Sequence, residues 1–224
     1  MGVRAVGVDD TITMKEIFYD WGGANVWLFH AINDIRFEWF DSVMLLGTFL
    51  GGHTLFPYYL AVLTLISLIA VSTPARDASH YQTLVKRWMA VIAVFSLAYL
   101  LDGLLLGVLK PLLDFPRPPL ALPPDTVQII GTAEYHHSLP SGHASFAMMV
   151  VASLWPILQR WWRATAVLFL LWVGVSRVSL GAHFPADVMA GFLSSLAVVL
   201  LVYVAVQQLM QLIAHRASRL RSAS

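Results

Sequence analysis

Residues 88–109 read WMAVIAVFSLAYLLDGLLLGVL, an apolar run with Lys86-Arg87 before it and Lys110-Pro111 after it. About 20 such residues cross the hydrocarbon core of a bilayer as a helix, so this stretch predicts a membrane span. Four more runs repeat the pattern: Thr54–Ser72, Ala144–Leu158, Ala164–Leu180 and Val188–Gln208. Hydrophobic residues make up 58% of the chain and charged residues 12%, with a mean hydropathy of +0.70. That balance leaves too little polar surface for a water-soluble domain. The expected fold is all-α, an integral-membrane helical bundle of five to six transmembrane helices.

The flanking segments read differently. Residues 1–21 are mixed and polar, with Asp9, Asp10, Lys15, Glu16 and Asp20, and lack the apolar stretch of a signal peptide, so no cleavage is expected. In residues 22–53, Trp27, Phe29, Phe37, Trp39 and Phe40 alternate with Asn33, Asp34, Arg36, Glu38 and Asp41. This suits one or two helices lying in the headgroup layer. Residues 40–52 read either as interfacial or re-entrant, or as a short sixth span. Three regions result: an N-terminal polar and amphipathic interfacial region (1–53), a transmembrane core (54–210) and a basic cytoplasmic tail (211–224).

Arg76, Lys86, Arg87, Arg160, Arg163, Arg216, Arg219 and Arg221 all fall on one side of a five-span bundle, which the positive-inside bias makes cytoplasmic. The opposite, outer side receives a proline-rich loop, 110–141. A loop of about 30 residues in a compact protein is more often functional than idle. The chain has no cysteine, which excludes disulfides and thiolate metal sites. A net charge of +1 without a basic stripe gives no sign of nucleic-acid binding.

Polar residues of the apolar region gather in three blocks, all at helix ends on the outer side. In Pro140-Ser141-Gly142-His143, Ser141 is a strong N-cap choice, and the free N–H groups of the following turn favour an anion. Gly142 permits close approach of a phosphate to the backbone. His143 is placed to reach a departing oxygen. In His183-Phe184-Pro185-Ala186-Asp187, proline marks the first position of the last helix and puts Asp187 in its first turn. A carboxylate there can accept the Nδ1 proton of His183 and leave Nε2 free to attack. Lys110, Arg117 and Arg177 add three cations, matched to the charge that develops in phosphoryl transfer. Each block alone reads equally as a helix cap or a snorkelling side chain; together they share one side and one chemistry.

The pattern resembles the type-2 phosphatidic acid phosphatase superfamily, whose signature reads Lys-x6-Arg-Pro, then Pro-Ser-Gly-His, then Ser-Arg-x5-His-x3-Asp. Here these are Lys110 with Arg117-Pro118, Pro140 to His143, and Ser176-Arg177 with His183 and Asp187. The resemblance covers about residues 86–208. It implies hydrolysis without a metal or other cofactor, with His183 as nucleophile, Asp187 orienting it and His143 protonating the leaving oxygen. Lys110, Arg117, Ser141, Gly142 and Arg177 would hold the phosphoryl oxygens. The implied substrate is a lipid phosphate or diphosphate at the outer face of a bacterial cytoplasmic membrane, with undecaprenyl diphosphate first. Phosphatidylglycerol phosphate, phosphatidic acid and lipid A phosphates are alternatives, as is transfer to a lipid acceptor. Haloperoxidase and transporter readings fit less well, because the chain is apolar and its polar groups collect at one end.

Other residues stay open. His136 and His137 either line the entrance or join His143, His183 and Glu134 as metal ligands; divalent sites usually add more carboxylates, so no metal is expected. Asp102, inside the second span, either pairs with a neighbouring helix or faces the site. Trp155, Trp161, Trp162 and Trp172 read as interface belts and core packing.

Overall fold

A computed structural model describes residues 19–73 and 77–222. Residues 1–18, and Arg76 of the cytoplasmic set, lie outside the described residues. Seven main helices follow in order: α1 (Ala24–Asn33), α2 (Glu38–Leu50), α3 (Phe56–Ser72), α4 (Ala78–Leu113), α5 (Gly142–Leu154), α6 (Arg160–Ser179) and α7 (Pro185–Ser222). Short turns at Pro118–Ala121 and Pro124–Thr126 interrupt the loop between α4 and α5, and no strand occurs among the described residues.

Among the described residues, three segments, His53–Ser72, Ala78–Ala121 and Pro185–Arg216, are long and apolar enough to cross a membrane. Their outward side chains, such as Leu68, Leu104, Leu112 and Leu201, are exposed on the protein surface, where a bilayer is the fitting solvent. The boundaries differ from those read in sequence wherever proline or capping decides them. α4 runs through Lys110 and Pro111 to Leu113 and ends at Asp114, in left-handed conformation with φ 38°. A proline in the final turn removes only one helical N–H, so the loop begins four residues later than its first proline implied. α5 stops at Leu154, short of Leu158: Trp155 still has helical dihedrals, but Pro156 has no N–H to donate back into the helix, and the chain leaves it in a turn closed on the Leu154 carbonyl. Its 13 residues extend about 20 Å, less than the bilayer core. α6 begins at Arg160, so the basic residues Arg160 and Arg163 belong to the helix and not to a turn before it. α7 continues to Ser222, through the residues read as a separate tail.

Two apolar clusters hold the bundle. Val94, Phe95 and Ala98 of α4 pack with Phe146, Met149 and Val150 of α5 and Val199, Val202 and Val206 of α7. A second cluster of Phe29, Val127, Ala144, Val178, Phe184 and Val188 lies beneath the polar blocks and includes α1. Main-chain contact between α5 and α7 is close: a Cβ on Gly191 would sit 2.5 Å from the Ser141 carbonyl oxygen. Trp172 of α6 packs against Gly47 of α2 and donates its indole N–H to the Val43 carbonyl at 3.0 Å. Arg87, in the third turn of α4, donates to the Pro156 carbonyl beyond α5, and Arg163 donates to that of Trp155. These basic residues mark the end of the bundle opposite Lys110.

Candidate active site

The three polar blocks converge, and backbone bonds stitch them together. Arg117 N–H donates to the Tyr135 carbonyl at 2.8 Å and Ser138 N–H to that of Phe115 at 2.9 Å, pairing the two ends of the proline-rich loop. Ser141 N–H donates to the Asp187 carbonyl at 2.9 Å, which ties the start of α5 to the start of α7. Ala182 and His183 both donate their N–H groups to the Arg177 carbonyl, at 3.1 and 3.2 Å, folding the turn after α6 back on its last residues.

On this frame His183 is 1% exposed and Asp187 0%. Arg117 Nη1 lies 3.3 Å from His183 Nε2. A guanidinium only donates, so Nε2 presents its lone pair to Arg117, and the imidazole proton is assigned to Nδ1. Nδ1 faces Asp187 Oδ2 at 3.5 Å and Ser138 Oγ at 3.3 Å. Ser138 also donates to Asp187 Oδ2 at 2.5 Å. The carboxylate thus reaches the imidazole in company with a hydroxyl, where the sequence reading had Asp187 alone. Oδ2 further accepts the Phe184 N–H at 2.8 Å, and Oδ1 accepts the Tyr19 hydroxyl at 2.9 Å. Burial, reinforced by Arg177, Arg117 and Lys110, holds the His183 imidazole well below the usual histidine range; the Ser138 backbone pulls the other way. His183 is therefore neutral at neutral pH.

Each of the three guanidinium nitrogens of Arg117 has a partner, and one Nη2 hydrogen is left over among the described residues. Nε donates to the His136 carbonyl at 2.9 Å, Nη1 to that of Ala182 at 3.2 Å, and Nη2 pairs with Glu134 at 2.5 Å. Lys110 Nζ donates to the His137 carbonyl at 3.3 Å. Arg177 Nη1 donates to Thr48 Oγ1 on α2. Arg177, His143, Thr48, Glu134 and Ala182 line a cavity of about 240 Å³. Ser141 takes the N-cap position of α5 without a side-chain capping bond. Ser141 Oγ and Arg177 Nε are buried polar atoms without a hydrogen-bond partner among the described residues, the state in which an arriving oxyanion gains most. Among the described residues, a Cβ on Gly142 would approach only Leu106, at 4.0 Å, so their packing does not require glycine there. His143 stacks edge-on to His53, with ring centroids 6.4 Å apart.

The open residues also find their places. Asp102 is buried and accepts from Ser145 Oγ, with its two oxygens 2.9 and 2.8 Å away, so it pairs with a neighbouring helix. His136 and His137 both turn Nδ1 toward Asp114 Oδ1, at 3.4 and 3.1 Å. Sequence reading missed Ser138, Tyr19 and Thr48. Ser138 stands three residues before Ser141 and was findable as a polar residue abutting the motif. Tyr19 lies 168 residues from Asp187, and no local pattern announces such a contact.

A family model described as the PAP2 superfamily matches residues 90–211. A lipid A 1-phosphatase of Rhizobium johnstonii is 28% identical over 121 residues, 50% of this chain and 46% of that protein. The chain thus spans about half the length of this curated relative. Among solved structures, Aquifex aeolicus LpxE superposes with a TM-score of 0.66 at 23% identity, over 80% of this chain and 94% of the other. The first transmembrane PAP2 type phosphatidylglycerolphosphate phosphatase from Bacillus subtilis gives 0.62 at 23% identity, over 85% and 88%. At these identities both structures speak for the all-helical fold.

Proposed function

The chain belongs to the PAP2 superfamily, and from that premise we propose that it is a membrane lipid phosphatase working through a phosphohistidine on His183. The observation that carries this reading is the imidazole itself: buried, with Nε2 beside Arg117 and Nδ1 beside Ser138 and Asp187. Nε2 attacks phosphorus, the P–O bond to the lipid breaks, and His143 gives its proton to the departing oxygen. Water then attacks the phosphohistidine and releases inorganic phosphate. Asp187 steadies the positive ring as it forms.

Lys110, Arg117 and Arg177, with Ser141 and the first turn of α5, hold the phosphoryl oxygens. Gly142 supports this role, because packing among the described residues leaves its glycine without another reason. The charge of the transition state is met by three side-chain cations, so turnover does not depend on a metal. The bundle of residues 54–210 forms the phosphatase core, in the cytoplasmic membrane of a bacterium. The basic residues at the far end support an outward-facing site.

The substrate class is a lipid phosphate whose head is exposed at that face. Undecaprenyl diphosphate is one member; lipid A 1-phosphate and phosphatidylglycerol phosphate, named for the two relatives, are others. The test is phosphate release by the purified protein from a panel of these lipids and phosphatidic acid, with EDTA present, beside His183→Ala. EDTA-resistant release that the variant abolishes is expected. Near-normal turnover by His183→Ala refutes the nucleophile assignment.

A further inference from the structure

The side chain of Asp187 is fully buried, and three donors fix its carboxylate. Two of them, Phe184 N–H and Ser138 Oγ, share Oδ2 at 2.8 and 2.5 Å. Among the described residues, they leave the other oxygen to one group, the Tyr19 hydroxyl, at 2.9 Å from Oδ1. The tyrosine ring is wedged between the site's own loops, 4.5 Å from Phe115 and 6.2 Å from Phe184, centroid to centroid. Burial, and next the charge of Asp187, push the phenol above its ordinary range, so it stays a donor at any working pH. Close by, Asn25 of α1 accepts the Ala186 N–H at 2.9 Å, so the N-terminal segment grips the residue beside Asp187 as well.

We propose that Tyr19 is a positioning residue of the phosphoryl-transfer site, locking Asp187 in the rotation that orients His183. This rests on the reading of Asp187 and His183 given above. Tyr19 lies outside the stretch matched by the family model, residues 90–211, so the N-terminal segment completes a site whose named motifs all lie elsewhere. The hydroxyl also disperses the negative charge of the carboxylate. Without it, Asp187 stabilises the imidazolium more strongly, and His183 takes up its proton at a higher pH; Arg117, Arg177 and Lys110, which oppose that proton, are unchanged.

The experiment compares wild type, Tyr19→Phe, Asp187→Ala, their double variant and His183→Ala in the full chain. The substrate is the lipid of the panel above that is turned over fastest. Tyr19→Phe keeps the ring packing and is expected to lower kcat about tenfold, because the carboxylate freed to rotate loses more in orienting His183 than its sharper charge returns to the imidazolium, with KM within about twofold. Its acid limb in kcat/KM moves up in pH, and in the Asp187→Ala background it causes no further loss. Fluorotyrosine at position 19, a stronger donor of nearly the same shape, moves that limb down. A packing role moves neither limb. Wild-type kcat in Tyr19→Phe, or a loss that multiplies in the double variant, overturns the proposal while His183→Ala stays inactive. Activity in His183→Ala overturns instead the reading on which it rests.

Discussion

Arg117→Lys keeps one positive charge at the site and removes the fork, so it separates charge from geometry. Arg117 is 6% exposed, and its bonds to the His136 and Ala182 carbonyls and its contact with His183 Nε2 are made out of water. Glu134 is 57% exposed, and an ion pair with so wet a partner contributes little. A lysine ammonium at this place can reach one of the two carbonyls. It then loses one carbonyl bond and the contact that holds the Nε2 lone pair in place. A hydrogen bond to a charged group contributes about 1.5–3 kcal/mol, so the low end for two gives about 3 kcal/mol. At 1.36 kcal/mol per decade this is roughly 100-fold in kcat/KM. The assay is phosphate release at substrate concentrations well below KM, with circular dichroism to show that the variant is folded. A folded Arg117→Lys within about fivefold of wild type refutes the assignment of the fork, and leaves Arg117 as a point charge.

Two further outcomes are expected. The attacking imidazole must be neutral, and burial with Arg177, Arg117 and Lys110 lowers its tendency to protonate; the acid limb of kcat/KM therefore lies below the usual histidine value of about 6.5, and Arg177→Gln moves it upward. A wild-type limb at or above that value contradicts the electrostatics. Asp102→Ala strands the buried Ser145 hydroxyl and is expected to lower stability by about 1–3 kcal/mol, while Asp102→Asn, which keeps an acceptor, loses less; equal melting of the two in detergent contradicts this.

The parts of the fold and site legible in sequence were those with a local cause. Apolar runs announced α3, α4 and α7 because length and composition suffice for a span. Lys110, Arg117, Ser141, His143, Arg177, His183 and Asp187 stand at helix ends or turns marked by proline and glycine, and the structure gathers them. Span limits failed where a single proline reversed the expectation: Pro156 cut α5 short, and Pro111 did not end α4. Tyr19, Thr48 and Asn25 were invisible because each meets its partner across more than a hundred residues. Such contacts depend on how α1 and α2 lie against α6 and α7, which no spacing encodes.

The main-chain stitching of the site has a consequence for its history. The bonds Arg117 to Tyr135, Ser138 to Phe115, Ser141 to Asp187 and His183 to Arg177 use only peptide groups, which every residue other than a proline donor supplies. This part of the pocket's scaffold therefore does not depend on the side chains of the residues that make these four bonds. Drift or selection can exchange a reactive group while the cradle keeps its shape. A lineage built this way can change its chemistry one side chain at a time without first losing its architecture.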